Sequence, residues 1–397
     1  MNAEVEEPVL KKCSFLLLAC VLALAVCCTA YAQTAVNGEE TTMTTVIPTW
    51  ENVKPLGRTH QLKDSLWLAF SGSGAEFAFT GKRCEVTIQG DINAAKSSAA
   101  DNHVRIAIDV NGVRVVDDMV NAREETYTVF ESETAQDVVV RVVKLSETAM
   151  STCGIKAITV DAQNGIRPTP AKARKIEFIG DSITCGYGVD DEVAEHHFVT
   201  ATEDVTKAYA YKTAQALDAD YSMVSISGYG IISGYTATGE EKITNQTIPQ
   251  FYDKLGFSYG PYQKKIVASV KWDFAAYTPD LIVVNLGTND DSYTQNSRER
   301  QREYCEAYTA FLKEIRSHNP DAKILCTLGV MGDRLYPWVE KAAKDYTEQT
   351  GDTNIACMRF SVQSPADGYA ADWHPTKATH DKAAQKLTAE IRELMGW

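Results

Sequence analysis

Basic residues are too few in this sequence to balance its acidic residues. The chain of 397 residues has 39 lysines and arginines against 53 aspartates and glutamates, which gives a formal net charge of -14 at pH 7. Such a surface repels the phosphate backbone of nucleic acids and the headgroups of anionic lipids. We therefore expect neither a nucleic acid nor a membrane as a partner, whereas a neutral polymer such as a polysaccharide meets no such barrier.

Spacings typical of metal ligands are also missing. The ten cysteines show no paired spacing of the kind that holds zinc, and adjacent His196 and His197 have no acid or cysteine at a suitable distance along the chain. Internal repeats and low-complexity tracts are absent too. We expect a globular protein, since 44% of the residues are hydrophobic and 23% are charged, and we expect it to need no metal and no cofactor.

No apolar run is long enough for a membrane-spanning helix, which requires roughly 20 residues. The longest run, 15–28, follows Lys11 and Lys12 and precedes Ala30-Tyr31-Ala32. A short basic segment, an apolar segment and small residues in this order are typical of a secretory signal peptide. We expect removal of residues 1–32 and a secreted or periplasmic protein, with lipoprotein anchoring at Cys20 as the alternative.

Export would place the remaining cysteines in an oxidising compartment. Four of the ten cysteines lie within residues 1–32, which leaves six in the mature chain. Disulfides are then possible. The pair we would test first is Cys84 with Cys153, because both fall in strand-like runs of one predicted domain.

Long amphipathic helices are missing from the first half of the chain. Between 67 and 160 the sequence alternates in short apolar runs separated by turn signals, among them Gly81-Lys82 and Asn111-Gly112. Such runs are typical of strands, and Asn-Gly favours two-residue hairpins. The predicted strands are 67–70, 76–79, 84–88, 104–110, 113–116, 127–130, 138–143 and 155–160. We expect an antiparallel β-sandwich of jelly-roll type over residues 33–164.

The pattern changes after residues 165–174, where Pro168 and Pro170 indicate an extended linker without sheet pairing. Strand and helix alternate over 175–397, which is typical of an α/β domain with a parallel sheet covered by helices on both faces. The predicted strands are 175–179, 221–226, 281–286, 323–328 and 354–360, and the predicted helices are 207–217, 298–317, 335–349 and 376–394. In such folds the active site lies at the carboxyl ends of the strands.

Four segments at these strand ends carry residue types that suit acyl transfer. In chain order they are Gly180-Asp181-Ser182, Ser227-Gly228-Tyr229-Gly230, Gly287-Thr288-Asn289-Asp290 and Asp372-Trp373-His374-Pro375. Each alone is an ordinary turn, since glycine, serine, asparagine and aspartate are common turn residues. Together they supply a serine, a glycine N–H, a carboxamide and a histidine at one edge of the sheet. This combination predicts a serine hydrolase.

The four segments resemble the four sequence blocks of the SGNH, or GDSL, hydrolase superfamily, which implies a flavodoxin-like fold for residues 175–397. The preceding sandwich with its Phe70-Ser71-Gly72-Ser73-Gly74 turn, together with Ile248-Pro249-Gln250-Phe251-Tyr252-Asp253 in the second domain, is similar to carbohydrate esterase family 2. This resemblance implies that Ser182 is the nucleophile and His374 its base. It also implies an oxyanion hole formed by the N–H groups of Ser182 and Gly228 and the side chain of Asn289.

The sequence leaves two ways to orient His374. The superfamily usually has an acid three residues before the histidine, and here that position is Ala371. Asp372, two residues before, would point the same way as His374 if the loop were extended. Either the Asp372 carboxylate completes a triad, or a backbone carbonyl supports a Ser-His dyad.

Aromatic residues near these segments are candidates for contact with a sugar. Trp373 either stacks on substrate or supports the loop as a core indole, and Tyr229 is a second candidate. Weaker candidates are Tyr235, Tyr336 and Trp338. Cys185 is expected to pack rather than to compete as nucleophile, and the charged tract 190–204 is expected to form a solvated loop that could rim the site.

The leading hypothesis is a secreted esterase that removes acetyl groups from a polysaccharide such as acetylated xylan or glucomannan. One alternative is a short-chain lipase or thioesterase that uses the same residues on other acyl esters. Another is a carbohydrate-binding protein that keeps the fold without catalysis. The joint presence of Ser182, Gly228, Asn289 and His374 argues against the last, because a non-catalytic binder has no use for the full set.

Overall fold

The computed structural model describes residues 42–397. The predicted signal peptide, 1–32, therefore lies outside the described residues. Within 42–397, no helix is both long enough and apolar enough to cross a membrane.

The N-terminal part is an antiparallel sheet, as its alternating apolar runs predict. Its strands pair in the order β3-β4-β9-β5-β8-β6-β7, and β1, β2 and β10 join at its sides. The bounds are β1 Thr44–Val46, β2 Lys54–Leu56, β3 Thr59–Gln61, β4 Leu66–Leu68, β5 Gly74–Gly90, β6 Val104–Val110, β7 Val113–Val120, β8 Glu124–Lys144, β9 Cys153–Val160 and β10 Arg167–Pro168. The jelly-roll topology stays a prediction.

Two of these strands are longer than the sequence predicts. β5 and β8 each merge two predicted strands into one. The predicted turn at Gly81-Lys82 is wrong: the pair lies inside β5, where the register with β8 shifts by a bulge. The carboxylate of Asp161 accepts hydrogen bonds from the N–H groups of Lys82 and Arg83 there. By contrast the Asn111-Gly112 turn between β6 and β7 is confirmed, with φ of 49° and 81°.

The expectation that the proline-containing linker makes no sheet pairing is also wrong. β10 pairs antiparallel with β5, placing Arg167 opposite Ala78 and Pro168 opposite Phe77. A two-residue strand at the edge of a sheet tolerates proline, because the only group that proline lacks is the backbone N–H donor. The linker therefore begins as part of the first sheet.

The C-terminal part is a five-stranded parallel sheet, which confirms the predicted α/β class. Its strand order is β12-β11-β13-β14-β15. The second strand of the sheet lies outside the first and the other three follow in chain order, which is the flavodoxin-like arrangement. The strands are β11 Arg174–Gly180, β12 Ala219–Ser225, β13 Leu281–Asn285, β14 Lys323–Val330 and β15 Ile355–Val362. The helices are α1 Ser182–Cys185, α2 Tyr209–Ala216, α3 Thr288–Thr294, α4 Arg298–His318, α5 Tyr336–Thr350 and α6 Lys377–Met395.

Helices cover both faces of this sheet. On one face, Ile179 and Val284 of the strands pack with residues of α4 and α5, such as Leu312 and Val339. On the other face, Phe178 and Val283 pack with residues of α2 and α6, such as Tyr209 and Leu387. All strand residues named here are fully buried. Burial on both faces explains why the strands are continuous apolar runs rather than alternating ones.

The pairing of Cys84 with Cys153 is excluded by the register of their strands. All six cysteines of the described residues are free thiols. Cys84 lies opposite Val160 and Cys153 lies opposite Gly90, at the two ends of the ladder between β5 and β9. At about 3.4 Å per residue the two thiols are about 20 Å apart, whereas a disulfide requires Cα atoms within about 7 Å.

Candidate active site

Ser182 lies where β11, which pairs with β12 and β13 in the parallel sheet, turns into a short helix. β11 ends at Gly180, and Ser182 is the first residue of α1. Asp181 is the N-cap of α1, and its Oδ1 accepts a hydrogen bond of 3.0 Å from the N–H of Ile183. Gly180 is required because a Cβ there would come within 2.1 Å of Thr184 Oγ1. The sharp turn presents the serine at the carboxyl edge of the sheet.

His374 lies in the loop before α6 and contacts Ser182 directly. Its Nε2 is 2.9 Å from Ser182 Oγ. Its Nδ1 is 3.2 Å from the carbonyl oxygen of Ala371 and 3.1 Å from that of Asp372. Because a carbonyl can only accept, Nδ1 must carry the hydrogen in the neutral ring. The Nε2 lone pair then faces the serine hydroxyl, the arrangement that a general base requires.

Burial also keeps this imidazole neutral. Loss of solvation lowers the pKa of His374 to about 4, although the hydrogen bonds that Nδ1 donates to the carbonyls of Asp372 and Ala371 and the charge of Asp372 act in the opposite direction. A ring with such a pKa is unprotonated at neutral pH. It can therefore accept the serine proton.

Of the two alternatives for orienting His374, a triad with the Asp372 carboxylate is wrong. The loop is not extended at this point, because Asp372 is left-handed with φ 50° and ψ 37°. Its carboxylate turns away and accepts hydrogen bonds of 2.8 Å from Tyr187 Oη and 2.9 Å from the N–H of Phe198. The alternative, orientation by backbone carbonyls, is the observed geometry.

Two backbone N–H groups of the predicted oxyanion hole, those of Ser182 and Gly228, are without a backbone acceptor among the described residues. Ser182 begins α1, so its N–H has no acceptor within the helix. The N–H of Gly228 donates to no backbone carbonyl in the described part of the chain. Gly228 has φ 80° and open space around its Cβ position, so the backbone conformation is what requires glycine here.

Asn289 lies beside these groups, but its amide is already engaged. Nδ2 donates to the carbonyl oxygen of Tyr229 at 2.9 Å and to Asp181 Oδ2 at 3.3 Å. The side chain therefore links the segments that carry the serine and Gly228. To act as a third oxyanion donor, it would redirect the longer bond, toward Asp181, to the substrate.

Three acids that support the site were not predicted from the sequence. Asp290 accepts hydrogen bonds from the N–H groups of Ile231, Ile232 and Ser233 and so fixes the loop that follows Gly228. Burial raises the pKa of Asp290 to about 6 and that of Asp181 to about 7. Glu147, from the antiparallel domain, accepts a hydrogen bond from Ser227. An acid at an N-cap position was the available signal for Asp181, whereas no local pattern points to Asp290 or Glu147.

The candidate sugar-contact residues differ in how much of each is exposed to solvent. Trp373 is 54% exposed and lies against Tyr369, with ring centroids 5.3 Å apart. Tyr235 is 60% exposed. Tyr229 is 3% exposed and packs against Phe251 and Phe257, so its ring offers no open stacking face. Tyr336 is buried in the core of the parallel sheet and Trp338 is partly buried against it, and sugar contact by either stays a prediction.

The remaining predictions near the site are partly correct. Cys185 is fully buried, and its Sγ contacts Ser225 Oγ, so it packs as expected. The tract 190–204 is exposed over much of its length, but Glu203 and Asp204 are fully buried, so it is not simply a solvated loop. In the described residues, no group of His, Cys, Asp and Glu side chains is placed to hold a metal.

Comparison with known proteins agrees with this geometry. Residues 178–382 match the GDSL-like lipase/acylhydrolase family, and the chain belongs to it. Residues 56–170 match the N-terminal domain of carbohydrate esterase 2. Relatives and structural neighbours are family 2 carbohydrate esterases, which confirms the resemblance found in the sequence.

Among curated relatives, the cellulase/esterase CelE of Acetivibrio thermocellus is 32% identical over 339 residues, a span that covers 83% of this chain and 38% of CelE. An acetylxylan esterase/glucomannan deacetylase of Cellvibrio japonicus is 27% identical over 375 residues, covering 93% of this chain and 97% of that protein. These relatives are carboxylic ester hydrolases, the class that the sequence predicts.

Solved structures share the fold. The acetyl xylan esterase Est2A of Butyrivibrio proteoclasticus aligns with a TM-score of 0.78 and 25% identity, over 90% of this chain and 99% of that chain. A family two carbohydrate esterase of Clostridium thermocellum, in complex with cellohexaose, aligns with a TM-score of 0.72 and 28% identity, over 87% and 99%. Both parts of the described chain are therefore found together in these enzymes.

Proposed function

We propose that this protein is a secreted serine esterase that removes O-acetyl groups from a polysaccharide, such as acetylated xylan or glucomannan. The observation that carries the proposal is the 2.9 Å contact between His374 Nε2 and Ser182 Oγ, with Nδ1 held by two backbone carbonyls. A neutral histidine in this tautomer can activate the serine without a triad acid.

In the first half-reaction, Ser182 Oγ attacks the carbonyl carbon of the acetyl ester while Nε2 of His374 takes the serine proton. The negative charge that develops on the carbonyl oxygen is received by the N–H groups of Ser182 and Gly228, each such donor being worth about 3 kcal/mol of barrier. The C–O bond to the sugar then breaks. The departing sugar oxygen takes the proton from His374, which leaves an acetyl-enzyme.

In the second half-reaction, water replaces the sugar. His374, now neutral again, accepts a proton from a water molecule as the water oxygen attacks the acetyl carbon. The intermediate collapses with loss of Ser182 Oγ, which recovers the proton from Nε2, and acetic acid leaves and ionises to acetate in solution. Every proton passes through His374, so the backbone carbonyls that hold Nδ1 support both steps.

The proposed substrate class rests on the domain that precedes the site, on a relative of this chain and on an exposed aromatic residue. An antiparallel domain matching the carbohydrate esterase 2 N-terminus precedes the catalytic domain. The curated relative that this chain covers almost completely is named for deacetylation of xylan and glucomannan. Exposed Trp373, next to His374, offers an aromatic face to a sugar ring at the site.

The test compares acetate release from acetylated xylan and from acetylated glucomannan by residues 33–397 and by Ser182→Ala and His374→Ala. The parent should release acetate and both variants should lose at least about 10³-fold in kcat. Ser361→Ala is the control, because Ser361 is exposed on β15. Equal release by the parent and Ser182→Ala would refute the mechanism.

Chain-length preference separates this function from the lipase or thioesterase alternative. Butyryl and octanoyl esters of p-nitrophenol, assayed beside the acetyl ester, should be poorer substrates. Faster turnover of the longer esters, without acetate release from either polymer, would favour the alternative. Binding of oligosaccharide without hydrolysis of any ester would favour the non-catalytic binder.

Export is part of the proposal and rests on Lys11, Lys12, the apolar run 15–28 and Ala30-Tyr31-Ala32. N-terminal sequencing of the protein recovered from the cell exterior tests it. A mature chain starting at residue 33 is the expected result. A chain that starts at Cys20 and partitions with membranes would indicate lipoprotein anchoring instead.

A further inference from the structure

The catalytic histidine forms one end of a stack of three rings. The ring centroids of His374 and Tyr187 are 4.0 Å apart with an interplanar angle of 27°. On its other face, Tyr187 stacks on Phe198 at 4.0 Å and 17°. The imidazole is thus held by its edge, through Nδ1, and by one face.

One side chain, that of Asp372, holds the other two members of this stack, Tyr187 and Phe198. Oδ2 of Asp372 accepts hydrogen bonds of 2.8 Å from Tyr187 Oη and 2.9 Å from the N–H of Phe198. Its Oδ1 contacts His197 Nδ1 at 3.1 Å, but that histidine side chain is 95% exposed. The two shorter, half-buried bonds therefore define the position of the carboxylate.

The carboxylate also fixes the backbone of its own residue. Asp372 and Trp373 are consecutive non-glycine residues with φ 50° and 63°. Left-handed conformations are disfavoured for such residues and persist only where surrounding contacts hold them. This conformation is what aims the carbonyl of Asp372 at His374 Nδ1.

The stack further connects the loop of the histidine to the helix of the serine. Tyr187 follows α1, and its N–H donates to the carbonyl of Ser182 at 3.2 Å. The N–H of Asp372 donates to the carbonyl of His196 at 2.9 Å, which ties the loop to the segment that carries Phe198. A shift of Tyr187 would therefore change the position of Nε2 relative to Oγ.

We propose that Asp372 is a positioning residue that acts on His374 indirectly, by holding the Tyr187–Phe198 stack against the imidazole and by holding its own carbonyl at Nδ1. The inference rests on the proposed function for its kinetic consequences only. An acid whose carboxylate contacts neither ring nitrogen of the histidine thus takes over the orienting task of a triad acid. It does so as a hydrogen-bond acceptor, so its negative charge is not required.

The variants Asp372→Asn and Asp372→Gly distinguish three contributions of Asp372: its acceptor oxygen, its negative charge and its left-handed backbone conformation. Asparagine keeps an acceptor oxygen and tolerates the left-handed conformation, so kcat should stay within about threefold of the parent value. Glycine also accepts that conformation but removes the acceptor, so kcat should fall about 10- to 100-fold with little change in KM. In a triad, by contrast, the Asp→Asn change lowers kcat by about 10⁴.

Asp218→Gly is the matched control. Asp218 is also left-handed, with φ 48°, and its side chain is 85% exposed. This variant should keep the parent kcat. Tyr187→Leu, which removes the ring but leaves Asp372 in place, should lower kcat as Asp372→Gly does, and it provides a second test where the glycine variant is too unstable to compare.

Proton NMR of the histidine rings reads the same positioning without any substrate. The ring protons of His374, assigned by their loss in His374→Ala, should be shifted upfield by the face of Tyr187. The shift should persist in Asp372→Asn and vanish in Asp372→Gly and Tyr187→Leu. An unchanged His374 shift in Asp372→Gly, or equal loss of kcat in the asparagine and glycine variants, would overturn the inference, whatever ester the enzyme prefers.

Discussion

The carboxylate of Glu147 crosses from the antiparallel domain into the catalytic domain, where its Oε2 accepts a hydrogen bond of 2.9 Å from the N–H of Ser227. Ser227 directly precedes Gly228, whose N–H is one of the two candidate backbone oxyanion donors. Glu147 is fully buried, and its own N–H donates to Glu203 Oε2 at 2.6 Å. The antiparallel domain therefore supports the segment of Ser227 and Gly228, called the oxyanion loop below. This support does not depend on whether the antiparallel domain contacts glycan.

Replacement of Glu147 tests whether its hydrogen bond to Ser227 supports activity. Glu147→Ala leaves the half-buried N–H of Ser227 without its acceptor, so we expect kcat for p-nitrophenyl acetate to fall about tenfold and the melting temperature to drop. Glu147→Gln keeps an acceptor oxygen and should retain most of the activity. Exposed Glu133 provides the control, as Glu133→Ala. Parent-like kcat in Glu147→Ala would show that the loop holds its position without the antiparallel domain.

The depressed pKa of His374 predicts an acid-tolerant enzyme. The histidine works as a base only when neutral, and burial lowers its pKa from 6.5 to about 4. Activity should therefore persist as the pH falls from 7 to about 5 and be lost as it falls through about 4. A profile of kcat/KM against pH, recorded after checking that the protein stays folded at each pH, measures this. Half-maximal kcat/KM near pH 6.5 would contradict it.

Gly228 offers a test of the oxyanion loop by conformation alone. A Cβ at this position meets no atom within 4 Å, but φ is 80°. Gly228→Ala should therefore fold, at a cost of about 1 kcal/mol, while the strain turns its N–H and lowers kcat about tenfold or more.

Gly112→Ala is the matched control for this variant, since Gly112 has φ 81° and is equally free of neighbours, but lies in the hairpin between β6 and β7. It should cost similar stability and no activity. Gly230→Ala should instead prevent proper folding of the loop, because its Cβ would lie 2.2 Å from the carbonyl oxygen of Ser233. Equal kcat in Gly228→Ala and Gly112→Ala would rule out an oxyanion role for Gly228.

Much of this architecture was accessible from the sequence because periodicity reports burial. The parallel strands were recognisable as continuous apolar runs, and α4 and α6 end within a residue or so of the predicted bounds. Ser182, Gly228, Asn289 and His374 were identifiable because parallel strands bring their carboxyl ends to one edge.

What the sequence did not reveal depends on conformation and on distant contacts. The direction of the Asp372 carboxylate follows from a left-handed backbone, which alternation rules cannot anticipate. Glu147 lies 80 residues before its partner Ser227 and in the other domain. The bulge at Gly81 preserved β5 as one strand where turn residues suggested an end. Each error arose where tertiary contacts outweighed a local preference.

Trp373 carries the last prediction, which separates sugar contact from loop support. Because its φ is 63°, asparagine is the appropriate replacement, since it tolerates that conformation. If the indole stacks on a sugar ring, Trp373→Asn should raise KM for acetylated xylan about fivefold and leave kcat and KM for p-nitrophenyl acetate unchanged. If the indole supports the loop, kcat should fall on both substrates, because His374 follows it directly. Trp50→Asn, at a tryptophan that is 43% exposed in the N-terminal part, should alter neither constant.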